Sequence, residues 1–153
     1  MQEYGKTEGN HTEYIKTNLN NTEISIYPSE MGRKDVIDGY RKQVKEKLSY
    51  DYLMQLHPYN SDIGEIVELI VEMLCIQEEF VKIGKKQVYT SLVKERLNQL
   101  DYTHIEYILE CMKASSSNIR NIKAYLMESL FNAPVTIGNY YSAKVNYDFC
   151  REL

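Results

Sequence analysis

A small enzyme declares itself by a nucleophile beside a base or by a cluster of metal ligands, and the residue types here that come nearest are His104 and Cys111. They lie seven positions apart. On one helix that is about 10.5 Å of rise, too far for proton transfer. The histidines, His11, His57 and His104, are scattered, with no H-x-x-x-H and no paired E-x-x-H to hold a metal. The cysteines, Cys75, Cys111 and Cys150, are odd in number and contain no C-x-x-C, which argues against a disulfide framework and a zinc knuckle. Glu65, Glu68 and Glu72 share a helical face, where clustered carboxylates can act as acid and base. No second carboxylate-rich segment accompanies them, so a solvated face is the better reading. Gly84-Lys85-Lys86 lacks the G-x-x-x-x-G-K-[ST] frame of a phosphate loop and reads as a turn. The sequence therefore predicts a noncatalytic protein with no metal and no cofactor.

Two other patterns point to binding. Lys82, Lys85 and Lys86, followed by Arg120 and Lys123, form a basic set that could neutralise phosphates if the segments carrying them meet. Further on, Arg120, Asn121, Lys123, Tyr125, Asn132, Tyr140 and Tyr141 belong to a polar and aromatic stretch, and Asn121, Tyr125, Glu128 and Asn132 recur at helical spacing. Asparagine and tyrosine there either cap and cross-link helices or form a recognition surface, for which rigid tyrosine rings supply contact area at low entropic cost.

The elements that must position these residues are mostly helical. Val36, Ile37, Tyr40, Val44 and Leu48 recur at spacings of three and four, which predicts a first amphipathic helix from Asp35. Ser49 is the expected cap of a short second helix carrying Tyr52, Leu53 and Leu56 and ended by His57-Pro58. Ser61 or Asp62 should cap the third, with Ile63, Ile66, Val67, Ile70 and Leu74 facing the core. Phe80-Val81-Lys82-Ile83, a glycine turn and Gln87-Val88-Tyr89 predict a small β-hairpin near residues 80–89. Thr90 or Ser91 should cap the next helix, and Asp101 another, with Ile105, Ile108, Leu109 and Met112 inward. A sixth helix carries Ile119, Ile122, Leu126 and Leu130. Asn132-Ala133-Pro134 is expected to break it, and Thr136 to cap a last helix with Ile137, Tyr141, Val145 and Phe149 on its inner side. The predicted fold class is mainly α, a compact domain of about six to seven helices with one hairpin.

With 153 residues, 43% hydrophobic and 26% charged, the chain fits one domain plus a tail. A formal charge of -4 lacks the basic excess of an autonomous nucleic-acid binder. No apolar run resembles an export signal or a membrane span, so a cytoplasmic protein is expected. Residues 1–34 differ from the rest: Thr-Glu recurs at Thr7, Thr12 and Thr22, and apolar residues are few. This segment reads as a flexible polar linker, with Glu23 to Tyr27 as a minor candidate for an extended strand. The helical domain is assigned to residues 35–153.

Asn121-Ile122-Lys123-Ala124-Tyr125-Leu126, Leu130-Phe131-Asn132-Ala133-Pro134, Thr136, Tyr140-Tyr141 and Val145-Asn146-x-Asp148 resemble the C-terminal domain of replication initiator protein A. Tyr50-Asp51-Tyr52-Leu53, Ile63-x-x-Ile66-Val67-Glu68-Leu69-Ile70, Ile83-Gly84, Val93-Lys94-x-Arg96-Leu97 and His104-Ile105-Glu106-Tyr107 agree in order upstream. These initiators belong to plasmids and integrative elements of Gram-positive bacteria. The resemblance implies a DnaD-like helical module that engages host helicase-loading or primase machinery, with DNA read mainly by a winged-helix domain not visible in these residues. It also implies that residues 1–34 correspond to the family's variable linker and that the chain is a fragment or a shortened product. The alternative is a helical module that contacts DNA phosphates through the hairpin and the sixth helix. Homo-oligomerisation is compatible with either.

Overall fold

A computed structural model describes residues 30–152. The chain divides into two units, residues 1–38 and 39–153. Of the predicted linker, residues 30–34 are already helical, while His11 and the Glu23 to Tyr27 segment lie outside the described residues. The described residues form a mainly helical domain with six helices and one two-stranded antiparallel hairpin. In chain order these are α1 (Glu30–Lys47), α2 (Tyr50–Leu56), α3 (Asp62–Leu74), β1 (Phe80–Ile83), β2 (Lys86–Tyr89), α4 (Thr90–Asn98), α5 (Tyr102–Ser115) and α6 (Ile122–Glu152).

The apolar spacing places the core as expected in α3. Ile63, Ile66, Val67 and Ile70 are buried, and so are Leu69, Val71 and Met73, so this helix turns a broad apolar face to the core and keeps Glu65, Glu68 and Glu72 on its exposed side. Around it Val44, Leu48, Leu53, Ile83, Val93, Leu97, Leu100, Ile105, Ile108, Leu109, Leu126, Leu130 and Ala133 are buried as well. Burying each such side chain is worth about 1.5–3 kcal/mol. In α1, Val44 and Leu48 turn inward, whereas Val36 is exposed.

The helix starts depart from the expected caps. Ser49 has φ 51° and ψ 52° and makes no capping bond, because a left-handed residue reverses the chain and does not hold its side chain over the next turn. Ser61 is already helical, and Asn60 takes the role by accepting the Asp62 N–H at 2.9 Å. Thr90 is the first residue of α4, buried, and not its cap. At α5 the expectation holds: the Asp101 carboxylate accepts the Thr103 and His104 N–H groups, and His104 Nδ1 accepts the Asp101 N–H at 3.1 Å, closing a capping box. His104 is thereby occupied in capping the start of α5.

The hairpin forms as read, with Phe80 opposite Tyr89, Val81 opposite Val88, Lys82 opposite Gln87 and Ile83 opposite Lys86. Gly84 has φ 62°, as the first of two turn residues requires in a type II′ hairpin.

The largest correction concerns the C-terminal third. No break occurs at Asn132-Ala133-Pro134, Thr136 caps nothing, and the sixth and seventh predicted helices are one, α6, which is 31 residues long with Pro134 inside it. It starts at Ile122 and not near Ile119, and Ile122 is exposed. Pro134 has no N–H for the Leu130 carbonyl, but side chains bind the carbonyls beside it. Arg96 Nη1 donates to the Phe131 carbonyl at 3.2 Å and Thr136 Oγ1 to the Asn132 carbonyl at 3.0 Å. Tyr141, Val145 and Phe149, expected inward, are exposed at 38%, 61% and 67%, because α6 runs on past the elements that could cover them.

Candidate interaction groove

A groove lies between α5 and α6. Tyr107, Ile108 and Cys111 of α5 face Tyr125, Glu128, Ser129, Asn132 and Thr136 of α6 across a cavity of about 280 Å³. Positions 125, 128, 129, 132 and 136 recur every three or four residues, so one stripe of α6 lines it. The Tyr107 hydroxyl shares a hydrogen bond with Thr136 Oγ1 at 3.3 Å and ties the two walls together.

Tyr107 continues the groove into a cluster of rings. Its centroid lies 4.9 Å from that of Tyr140 and 6.3 Å from that of Tyr141, and the last two cross edge-on at 5.3 Å. Beside them Lys144 Nζ donates to Glu110 Oε1 at 2.5 Å. The Lys144 ammonium holds the Glu110 carboxyl below the usual carboxylate range, and Glu110 in turn holds Lys144 above the usual lysine range. Partial burial, then the Glu110 charge, pushes the Tyr140 phenol up. Tyr140 thus stands with its phenol favoured in the neutral form beside the Lys144–Glu110 ion pair.

Burial pushes the Cys111 thiol up, which favours its protonated form. His57 Nε2 meets Glu106 Oε1 at 2.6 Å, joining the end of α2 to α5. No group of three metal-ligating side chains occurs among the described residues. The carboxylate face is taken up by cations: Arg41 grips Glu68 through two bonds of 2.6 and 2.8 Å, and Lys123 Nζ donates to Glu72 at 2.8 Å.

The predicted recognition residues separate into three places. Tyr125 and Asn132 line the groove, and Tyr140 and Tyr141 form its aromatic extension. Asn121 is the cap of α6, its Oδ1 accepting the Ala124 N–H at 3.1 Å, and Lys123 is held by Glu72. Arg120 is exposed ahead of the helix. In the basic set, Lys82, Lys85 and Lys86 are exposed on the hairpin. The hairpin turn does reach α6, but at Glu128, whose carboxylate lies 3.2 Å from where a side chain on Gly84 would begin. Acid and not base therefore marks that junction. Sequence reasoning missed Tyr107, Thr136, Glu110 and Lys144, since Glu110 and Lys144 are 34 residues apart and only the α5–α6 packing joins them.

The class these features define is a noncovalently held helical domain with an aromatic-walled groove and a side hairpin. The chain belongs to the family described as a family of unknown function, DUF6017, matched over residues 27–151. No curated protein and no solved structure matches it. No helix among the described residues is long and apolar enough to cross a membrane.

Proposed function

We propose that this domain is the noncatalytic C-terminal module of a plasmid or mobile-element replication initiator, acting in the cytoplasm by recruiting host helicase-loading or primase proteins. The residue pattern shared with replication initiator protein A supports the family reading, and the α5–α6 groove is the single observation that supports recruitment. At about 280 Å³ it lies at the small end of ligand pockets and suits one or two side chains of a partner better than a whole cofactor. Tyrosine hydroxyls and the Asn132 amide supply polar contacts, and the Tyr107–Tyr140–Tyr141 rings supply the rigid area that interface hot spots use. Origin reading is assigned to another domain.

Surface-immobilised full chain, titrated with purified host helicase loader and primase, tests this. The expected result is micromolar binding to one of them, weakened at least about tenfold by Tyr140→Ala or by Asn132→Ala. Binding to neither protein, or binding unchanged in both variants, overturns the proposal.

A further inference from the structure

The hairpin has two unlike faces. Val81, Ile83 and Val88 are half-buried or buried against the domain, while Phe80, Lys82, Gln87 and Tyr89 share the opposite, exposed face. Phe80 is 43% and Tyr89 56% exposed, and their rings meet across the strands with centroids 4.6 Å apart. Lys82 follows two residues along the same face, and Lys85 sits at the tip. An exposed aromatic pair continuous with a row of ammonium groups is the combination that single strands use, bases stacking on rings and phosphates tracking cations.

We infer that the outward face of the β1–β2 hairpin binds single-stranded nucleic acid, with Phe80 and Tyr89 as the stacking platform and Lys82 and Lys85 as the phosphate contacts. This goes beyond recruitment through the α5–α6 groove and uses none of its residues. Charge biases where the phosphate backbone lies. Glu78 and Glu79 precede Phe80, so the backbone is repelled at the base of the hairpin and drawn toward its tip, while the bases lie over the rings. The Glu128 carboxylate lies beside Gly84 in the turn. Lys86, opposite Ile83, belongs to the other face and contributes less than Lys82. A duplex keeps its bases stacked internally and offers the rings nothing. The net charge of -4 does not oppose this, because screening at physiological salt confines each charge to about 8 Å.

Fluorescence anisotropy of the full chain with labelled oligothymidylate, oligouridylate and a DNA duplex, across a salt series, tests the site. The expected result is that a single strand binds more tightly than the duplex, and comparison of the two oligomers tells DNA from RNA. Phe80→Ala with Tyr89→Ala should weaken single-strand binding about fivefold or more without changing the salt slope, and Phe80→Tyr with Tyr89→Phe should restore it. Lys82→Ala should lower the log–log salt slope by about 0.7, and Lys86→Ala by less. Amide hydrogen exchange across β1 and β2 in each variant checks that the hairpin still forms. Absence of binding at low salt overturns the inference. So does equal binding to duplex and single strand that the folded aromatic variants leave unchanged, which would reduce the ring pair to a cross-strand contact.

Discussion

Arg96 engages Phe131 twice: its guanidinium lies 4.7 Å from the ring centroid, and its Nη1 donates to the carbonyl of the same residue. One side chain from α4 thus clamps α6 three residues ahead of Pro134, where a helix would otherwise end. Replacing Pro134 by Ala restores a backbone donor to the Leu130 carbonyl. We expect Pro134→Ala to raise stability by about 1–2 kcal/mol and Arg96→Ala to lower it by about 1–3 kcal/mol. In the Pro134→Ala background the Arg96→Ala cost should shrink, because without the proline ring the helix beside Phe131 needs less support from a side-chain clamp. A double-mutant cycle by urea denaturation reads this coupling, and strict additivity would refute it.

The Lys144–Glu110 pair gives the aromatic cluster a pH window. Glu110 is held below its ordinary value, so its contribution is complete above the usual carboxylate range and is lost as pH falls through the lowered value. Lys144 is held above its ordinary value, so its contribution is complete below the usual lysine range and is lost as pH rises through the raised value. Near-ultraviolet circular dichroism of the tyrosines should be flat between those limits and change outside them. Glu110→Gln should remove the acid-side change.

Gly84 should tolerate nothing larger. Its φ of 62° strains any side chain, and an added Cβ would meet the Glu128 carboxylate. We expect Gly84→Ala to cost about 1–2 kcal/mol. In a Glu128→Ala background the cost should fall toward the backbone part alone, which thermal denaturation of the two variants measures.

Asn121 is a cap, and its substitution should act on the fold before it acts on any partner. Asn121→Ala should cost about 0.5–2 kcal/mol and Asn121→Asp almost nothing, since Asp caps as well as Asn. Chemical denaturation distinguishes them. Equal loss in both would point to a role other than capping.

Leu130 and Phe149 lie on the same helix but differ entirely in surroundings. Leu130 is fully buried, and Leu130→Ala should cost about 2–5 kcal/mol. Phe149 is 67% exposed, and Phe149→Ser should stay within about 0.5 kcal/mol. Denaturation midpoints of the two variants provide the comparison.

Local patterns were readable wherever one period governed the outcome. The stripe of α3, the alternation about Gly84 and the Asp101 cap are each encoded within a few residues, and each appears where the sequence placed it. The Thr136 hydroxyl suits a cap equally well as a bond to the Asn132 carbonyl one turn back, and the contacts that carry the helix past Pro134, such as that of Arg96, 35 residues from Phe131, lie far away in sequence. The groove was half readable. Tyr125 and Asn132 stood out by spacing, but Tyr107 and Thr136 join them through tertiary packing, which no short window contains. Asn121 looked like a contact residue because asparagine serves both as cap and as donor.

A single helix that begins in the core and ends in solvent joins two exchange regimes in one hydrogen-bonded ladder. Amides near Leu126, Leu130 and Ala133 are locked beneath packed side chains and should trade deuterium only when the whole domain opens. Past Lys144 every side chain from Val145 to Arg151 is exposed, and an uncovered helical end frays on its own. Protection along α6 should therefore fall steeply after the turn that holds Lys144, so that the Glu110 contact marks where the cooperative unit stops.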